Sequence, residues 1–171
     1  IASTQPVIAS VVFADDSRNV ISTDFGSATA SRYGLAVSGG YGVSNCGGHG
    51  ISISGTNGKS TSGYNGISYS KDQGTSISND DGISISKYNG ISKANDCGIA
   101  ISYAFGLSSV GNEGMAFTGE QGVVSAGVGG IIIIRYYKDG KYQYKVGHIG
   151  KDGLCPGVKY KLDINDNFIE A

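Results

Sequence analysis

Only a few side chains in this sequence are of types that do chemistry. The histidines are His49 and His148, and the cysteines are Cys46, Cys97 and Cys155. An odd cysteine count at wide spacing builds neither a disulfide framework nor a zinc site. The expectation is reduced, structural thiols. Serine is abundant but recurs as filler at fixed intervals, with no nucleophile elbow beside it. Phosphate-loop and metal-ligand spacings are absent, and Gly-x-Gly spellings follow from a glycine-rich repeat. Asp80, Asp81, Asp96 and Glu113 recur at steps that would stack carboxylates, which repel unless neutralised. Calcium is the cation suited to such oxygen ligands. The Gly-Gly-x-Gly-x-Asp signature of calcium-binding rolls is missing, so solvated acids are expected there. The reading is a non-enzyme with no catalytic residue, cofactor, metal or small-molecule substrate.

The elements behind these residues are repeats. Glycine occupies every eighth position from Gly26 to Gly130 without a gap. Gly50, Gly58, Gly66, Gly74, Gly82, Gly90 and Gly98 form the centre of the series. Each octad reads as a glycine, four strand-like residues and a three-residue corner. The chain must reverse at each corner, so the glycines are expected there with φ > 0. Within an octad, the second and fourth residues after the glycine are small, as in Ser68 and Ser70 or Ser84 and Ser86. The first and third are larger and include Lys59 and Lys93, which are very costly to bury unpaired. Strand side chains alternate between faces. The small residues therefore point inward and the bulky ones outward.

Alternate octads differ in character. One set presents Leu35, Ile51, Ile67, Ile83, Ile99 and Met115 at its first position, and Val37, Ile53, Tyr69, Ile85, Ile101 and Phe117 at its third. Ile131 and Ile133 extend both rows. The other set mixes Lys59, Thr61, Thr75, Lys93 and Ser109 with a few aliphatics. Two alternating kinds of octad imply two strands per turn. The predicted fold is all-β: a flat, two-sided β-solenoid with 16 residues per coil, roughly six and a half coils and roughly 30 Å long at ~4.8 Å per rung. Residues 1–25 are expected to form an N-terminal capping segment, with a strand over Val7–Phe13 and a turn at Asp15-Asp16-Ser17. The solenoid is expected over 26–130. Residues 131–171 read as a C-terminal β cap of two hairpins, one turning at Lys138–Lys141 and one at Asn165–Asn167. Asn57, Gln73 and Asn89 line up as an amide ladder along one edge.

Composition narrows the partners. The chain has 171 residues, 29 of them glycine, and a net charge of -1, which makes no electrostatic case for nucleic acid. The longest apolar run, Ile131–Ile134, is too short to span a membrane. Ile1 in place of Met reads as the mark of a processed chain or a portion of a longer product. The apolar rows cover on the order of 400 Å², a size that marks an interface. The expected partner is the chain itself, as a homo-oligomer or filament, unless the termini fold over the rows. The alternative is a binding module or adhesin that presents a solenoid face to glycan, ice or a host protein.

The stretches GYNGISYSKDQ and NDDGISISKYNGISKAND, with the tail KVGHIGKDGLCPGVKYKL, resemble a group of uncharacterised bacteriophage and bacterial octapeptide-repeat proteins. That group carries Gly-Ile-Ser-type repeats and a tail matched here at Val146, Gly147, Gly150, Asp152, Gly153, Leu154, Pro156, Tyr160 and Leu162. Cys155 stands where the group tends to have lysine. The resemblance covers roughly residues 26–171 and implies no activity. It favours a virion-associated or extracellular setting over a cytoplasmic one.

Overall fold

Four extended residues with small inward side chains, then a tight corner, make a strand too short to stand alone. Stacking satisfies it, because each backbone pairs with the coil before and the coil after. The computed structural model describes residues 11–15 and 18–171. Its first strands are β1 (Val11–Ala14), β2 (Asn19–Ile21), β3 (Ser27–Ala30), β4 (Leu35–Val37), β5 (Val43–Cys46) and β6 (Ile51–Ser54). The central coils hold β7 (Lys59–Ser62), β8 (Ile67–Ser70), β9 (Thr75–Ser78), β10 (Ile83–Ser86), β11 (Ile91–Ala94) and β12 (Ile99–Ser102). There follow β13 (Leu107–Ser109), β14 (Met115–Thr118), β15 (Val123–Ser125), β16 (Ile131–Lys138), β17 (Lys141–His148), β18 (Tyr160–Leu162) and β19 (Phe168–Glu170).

The odd strands β1 to β15 form one parallel sheet, and the even strands β2 to β16 form the other. Register steps by a whole coil, as in Ile83 opposite Ile67 on one side and Ile99 on the other. The fold is thus the two-sided all-β solenoid that the octads predict, with about 8 turns. The extra turns come from both ends. β1 pairs with β3 and β2 with β4 in the same register, so residues without the glycine phase still wind as a coil. Val7–Ser10 of the expected strand, and Asp16 and Ser17 of the expected turn, lie outside the described residues.

The interior between the sheets is made of serine and alanine. Ser60, Ser68, Ser76, Ser84, Ala100 and Ala116 are fully buried. Many of the serine hydroxyls follow a recurring pattern, although those of Ser78 and Ser84 are buried without a partner. Ser76 Oγ donates to the Ile85 carbonyl 2.6 Å away and shares a hydrogen bond of 2.9 Å with Ser70 Oγ. Ser108 does the same with the Phe117 carbonyl at 2.6 Å and Ser102 Oγ at 2.8 Å. Serine therefore suits this core: it is small enough for close sheets, and its polar atom reaches a carbonyl of the facing strand.

The corners correct one expectation. The repeat glycines do not carry the positive φ; the residue before each of them does, including His49 (φ 59), Asn57 (φ 56), Gln73 (φ 58), Asp81 (φ 54) and Phe105 (φ 61). Glycine is required by space instead. A Cβ on Gly74 would lie 2.7 Å from Ser70 Cβ and 2.9 Å from the Gly58 carbonyl oxygen. The Gly74 N–H closes the corner on the Lys71 carbonyl at 3.1 Å.

At the C-terminal end both sheets change direction. β16 stacks in parallel on β14, then returns as the antiparallel β17 through Asp139 (φ 52) and Gly140 (φ 77). Positive φ at both central residues is the two-residue hairpin geometry that Asp-Gly favours. β18 runs antiparallel to β15 and to β19. Here the interior becomes apolar: Val124, Ile132, Ile134, Ile149, Leu154 and Tyr160 are buried together, with Phe168 and Leu162 packed against them.

Candidate interaction face

The two apolar rows run along the outside of the even-numbered sheet. Leu35, Ile51, Ile67, Ile83, Ile99, Met115 and Ile131 stack in one, and Val37, Ile53, Tyr69, Ile85, Ile101, Phe117 and Ile133 in the other. Ile51 and Ile67 are 41% and 38% exposed, and the rest are half-buried by their neighbours along the row. Among the described residues no segment lies over this face: its strands touch their sheet neighbours and the facing sheet. The C-terminal hairpin continues the sheet sideways rather than folding across it, and Tyr144 meets Phe117 at a ring separation of 6.3 Å with the planes tilted by 40°. The face carries no charge from Leu35 to Ile133 at its outward positions. It can therefore shed water against a flat apolar surface without stranding an ion.

The other outer face displays Thr29, Asn45, Lys59, Thr61, Thr75, Lys93 and Ser109. Val43, Ile77, Ile91, Leu107 and Val123 are scattered among these polar residues, and Val11 and Phe13 are exposed at its first strand, so this face is mixed where the other is continuously apolar.

The edges explain the polar corner residues. The Asn112 backbone N–H donates to Asp96 Oδ1 at 2.7 Å, and the Val128 N–H donates to Asn112 Oδ1 at 2.9 Å. Gly40 N–H donates to Asp24 Oδ1 at 2.6 Å on the opposite edge. A corner carboxylate or amide thus accepts a backbone N–H of the next coil. Among the described residues no three His, Cys, Asp or Glu side chains are grouped to hold a metal ion. Asn57, Gln73 and Asn89 share one edge, but the bonds that join their corners are from backbone, as in Gln73 N–H to the Tyr88 carbonyl at 2.8 Å.

Of the residues of reactive type, His49 and Cys46 are engaged in packing, whereas His148, Cys97 and Cys155 are exposed. His49 is stacked on Tyr33 at 5.0 Å and meets Tyr64 edge-on at 5.9 Å. Cys46, Cys97 and Cys155 are free thiols. Cys46 points inward and lies 2.8 Å from the Ile51 carbonyl; burial pushes its thiol up. Desolvation at the corner, reinforced by Asp81, Glu113, Asp96 and Asp80, pushes the Cys97 thiol up as well, opposite to the shift that activates a nucleophile.

One cluster escapes the repeat analysis. Tyr88, Tyr103, Phe105, Tyr137, Tyr142 and Tyr144 are all exposed near the junction of corners and hairpin. The signal in the sequence was aromatic enrichment after Ile134, which reads equally well as ordinary hairpin pairing. Comparison with protein-family models, with curated proteins and with solved structures gave no match for this chain.

Proposed function

We propose that the chain is a non-enzymatic structural protein that associates with copies of itself through the isoleucine-rich face. One observation carries this reading: the apolar rows are flat, uncharged and uncovered among the described residues. A ladder of this size exposed to water is unfavourable at roughly 25 cal/mol per Å². A second copy laid face to face removes it from water on both partners. Equal spacing of identical rungs makes the surface self-complementary under a two-fold axis, and an offset pairing would extend it into a filament. The engagement of Ser76, His49 and Cys46 in core bonds and ring stacks supports a structural role.

The test is solution mass. Ile67, Ile83 and Ile99 replaced together by lysine put charge at the centre of the face and leave the serine interior untouched. Light scattering after size-exclusion chromatography is expected to show an oligomer for the parent chain and a monomer for the triple variant. A parent chain that stays monomeric, or a variant of unchanged mass, overturns the proposal. A monomeric parent chain would favour the reading as a binding module.

A further inference from the structure

β16 and β17 are twice the length of the solenoid strands, so the hairpin overhangs the edge of the coil. β14 ends at Thr118, opposite Ile134, whereas β16 continues through Arg135, Tyr136, Tyr137 and Lys138. Between this overhang and three stacked corners lies a groove of about 420 Å³, lined by Asp72, Lys87, Tyr88, Tyr103, Ala104 and Arg135.

Three features of the groove bear on what fills it. First, Tyr88 and Tyr103 are each 47% exposed, and Tyr88 is braced edge-on by Phe105 at 5.2 Å. Half-exposed tyrosines that the protein supports but does not cover are platforms for an apolar ring face. Second, the Arg135 guanidinium lies 4.4 Å from the centre of the Tyr142 ring. Among the described residues it has no carboxylate partner, and its Nε is buried without an acceptor. A guanidinium oriented by an aromatic ring and lacking a protein counter-ion is ready for a planar carboxylate. Third, the groove pairs two cations, Lys87 and Arg135, with one acid, Asp72. That balance suits a ligand with one negative group and several hydroxyl donors. It does not suit a phosphodiester strand, which needs a succession of cations along its path and finds a repelling carboxylate here.

We propose that this groove binds a carboxylated sugar unit of an acidic glycan. The sugar carboxylate pairs with Arg135 beside Lys87, its hydroxyls donate to Asp72, and its ring lies against Tyr88 and Tyr103. The site borders the isoleucine face, with Arg135 two residues beyond Ile133 on β16, but its lining includes none of the row residues.

Titration calorimetry on the full chain tests this with matched probes: 3′-sialyllactose against lactose, and trigalacturonic acid against maltotriose, with a single-stranded oligothymidylate as comparator. At least one acidic sugar is expected to bind about tenfold or more tightly than its neutral counterpart. R135A is expected to weaken that binding by about tenfold, with R135K between the two. Y103A keeps the question open should the arginine variants fold poorly, and is expected to weaken binding of the sugar's ring face. The proposal is overturned if neither acidic sugar binds, if neutral and acidic sugars bind alike, if Arg135 and Tyr103 substitutions change nothing, or if the oligothymidylate binds more tightly than every sugar.

Discussion

The solenoid interior and the cap interior are built on continuous sheets, yet they are held by different physics. One rung separates them. Ala116 sits opposite Ile132, Thr118 opposite Ile134, and Ser108 opposite Val124. Before that rung, most buried residues are serine and alanine, with Val20, Cys46, Val110 and Thr118 among them; they bring little apolar area to the interior and rely on hydroxyl-to-carbonyl bonds between the sheets. After it, β17 and β18 run antiparallel to the strands they pair with, a long segment joins them, and the space enclosed is filled by Ile149, Leu154, Tyr160 and Phe168. Stability comes from repetition of one bonding pattern in the first region and from buried area in the second. The sheets can change core type so abruptly because the backbone ladder is indifferent to side-chain size, whereas the space between the sheets is not.

Three measurements would sharpen or break this contrast. The largest effect is expected in the cap. Ile132 is fully buried, and Ile132→Ala should lower the free energy of unfolding by about 3 kcal/mol in urea titration. A loss under about 1 kcal/mol would mean that area does not dominate there. Glycine substitutions come next. Gly74→Ala forces a Cβ to within 2.7 Å of Ser70 Cβ, and about 2 kcal/mol of destabilisation is expected. Gly140, in the hairpin turn, has φ +77 with nothing within 4 Å of an added Cβ, so Gly140→Ala should cost about 1 kcal/mol, from backbone strain alone. Equal losses at both glycines would contradict the role of space at the coil corners. The smallest effects are the most discriminating, because they differ in sign. Ser76→Ala removes bonds to Ile85 and Ser70 and should destabilise by about 1 kcal/mol. Ser78 Oγ is buried without a partner, so Ser78→Ala should be neutral or slightly stabilising. Thermal melts of the two variants side by side would show melting temperature falling for the first and not for the second.

Much of this architecture was legible because the octads repeat one decision many times. Lys59 and Lys93 had to face water, which forced Ser60 and Ser92 inward, and period-two alternation carried the rest of the coil with them. The separation of Ile83 and Ile85 from Lys59 and Thr61 on alternate octads revealed two strands per turn. The first coil was hidden because Val11–Ile21 lacks glycine corners, although β1 still pairs with β3 in the register of the coils that follow. The positive φ was placed one residue late, on Gly74 rather than Gln73. Glycine's usual association with that backbone region concealed its other use, as the residue with no Cβ where coils press together. The groove beside Arg135 could not be read from the chain at all. It arises where one strand outruns its neighbours, a property of lengths rather than of residue types.

Pairing between residues a full coil apart also limits how the gene can change length. Each coil meets only the coils beside it, so duplicating sixteen residues lengthens the ribbon without disturbing existing contacts. Duplicating a single octad would exchange the roles of the two sheets for everything downstream. The isoleucine rows would break in the middle, and the terminal hairpin would emerge from the wrong side. Growth and loss are thus permitted only in even numbers of octads, which makes the number of turns a parity-protected trait.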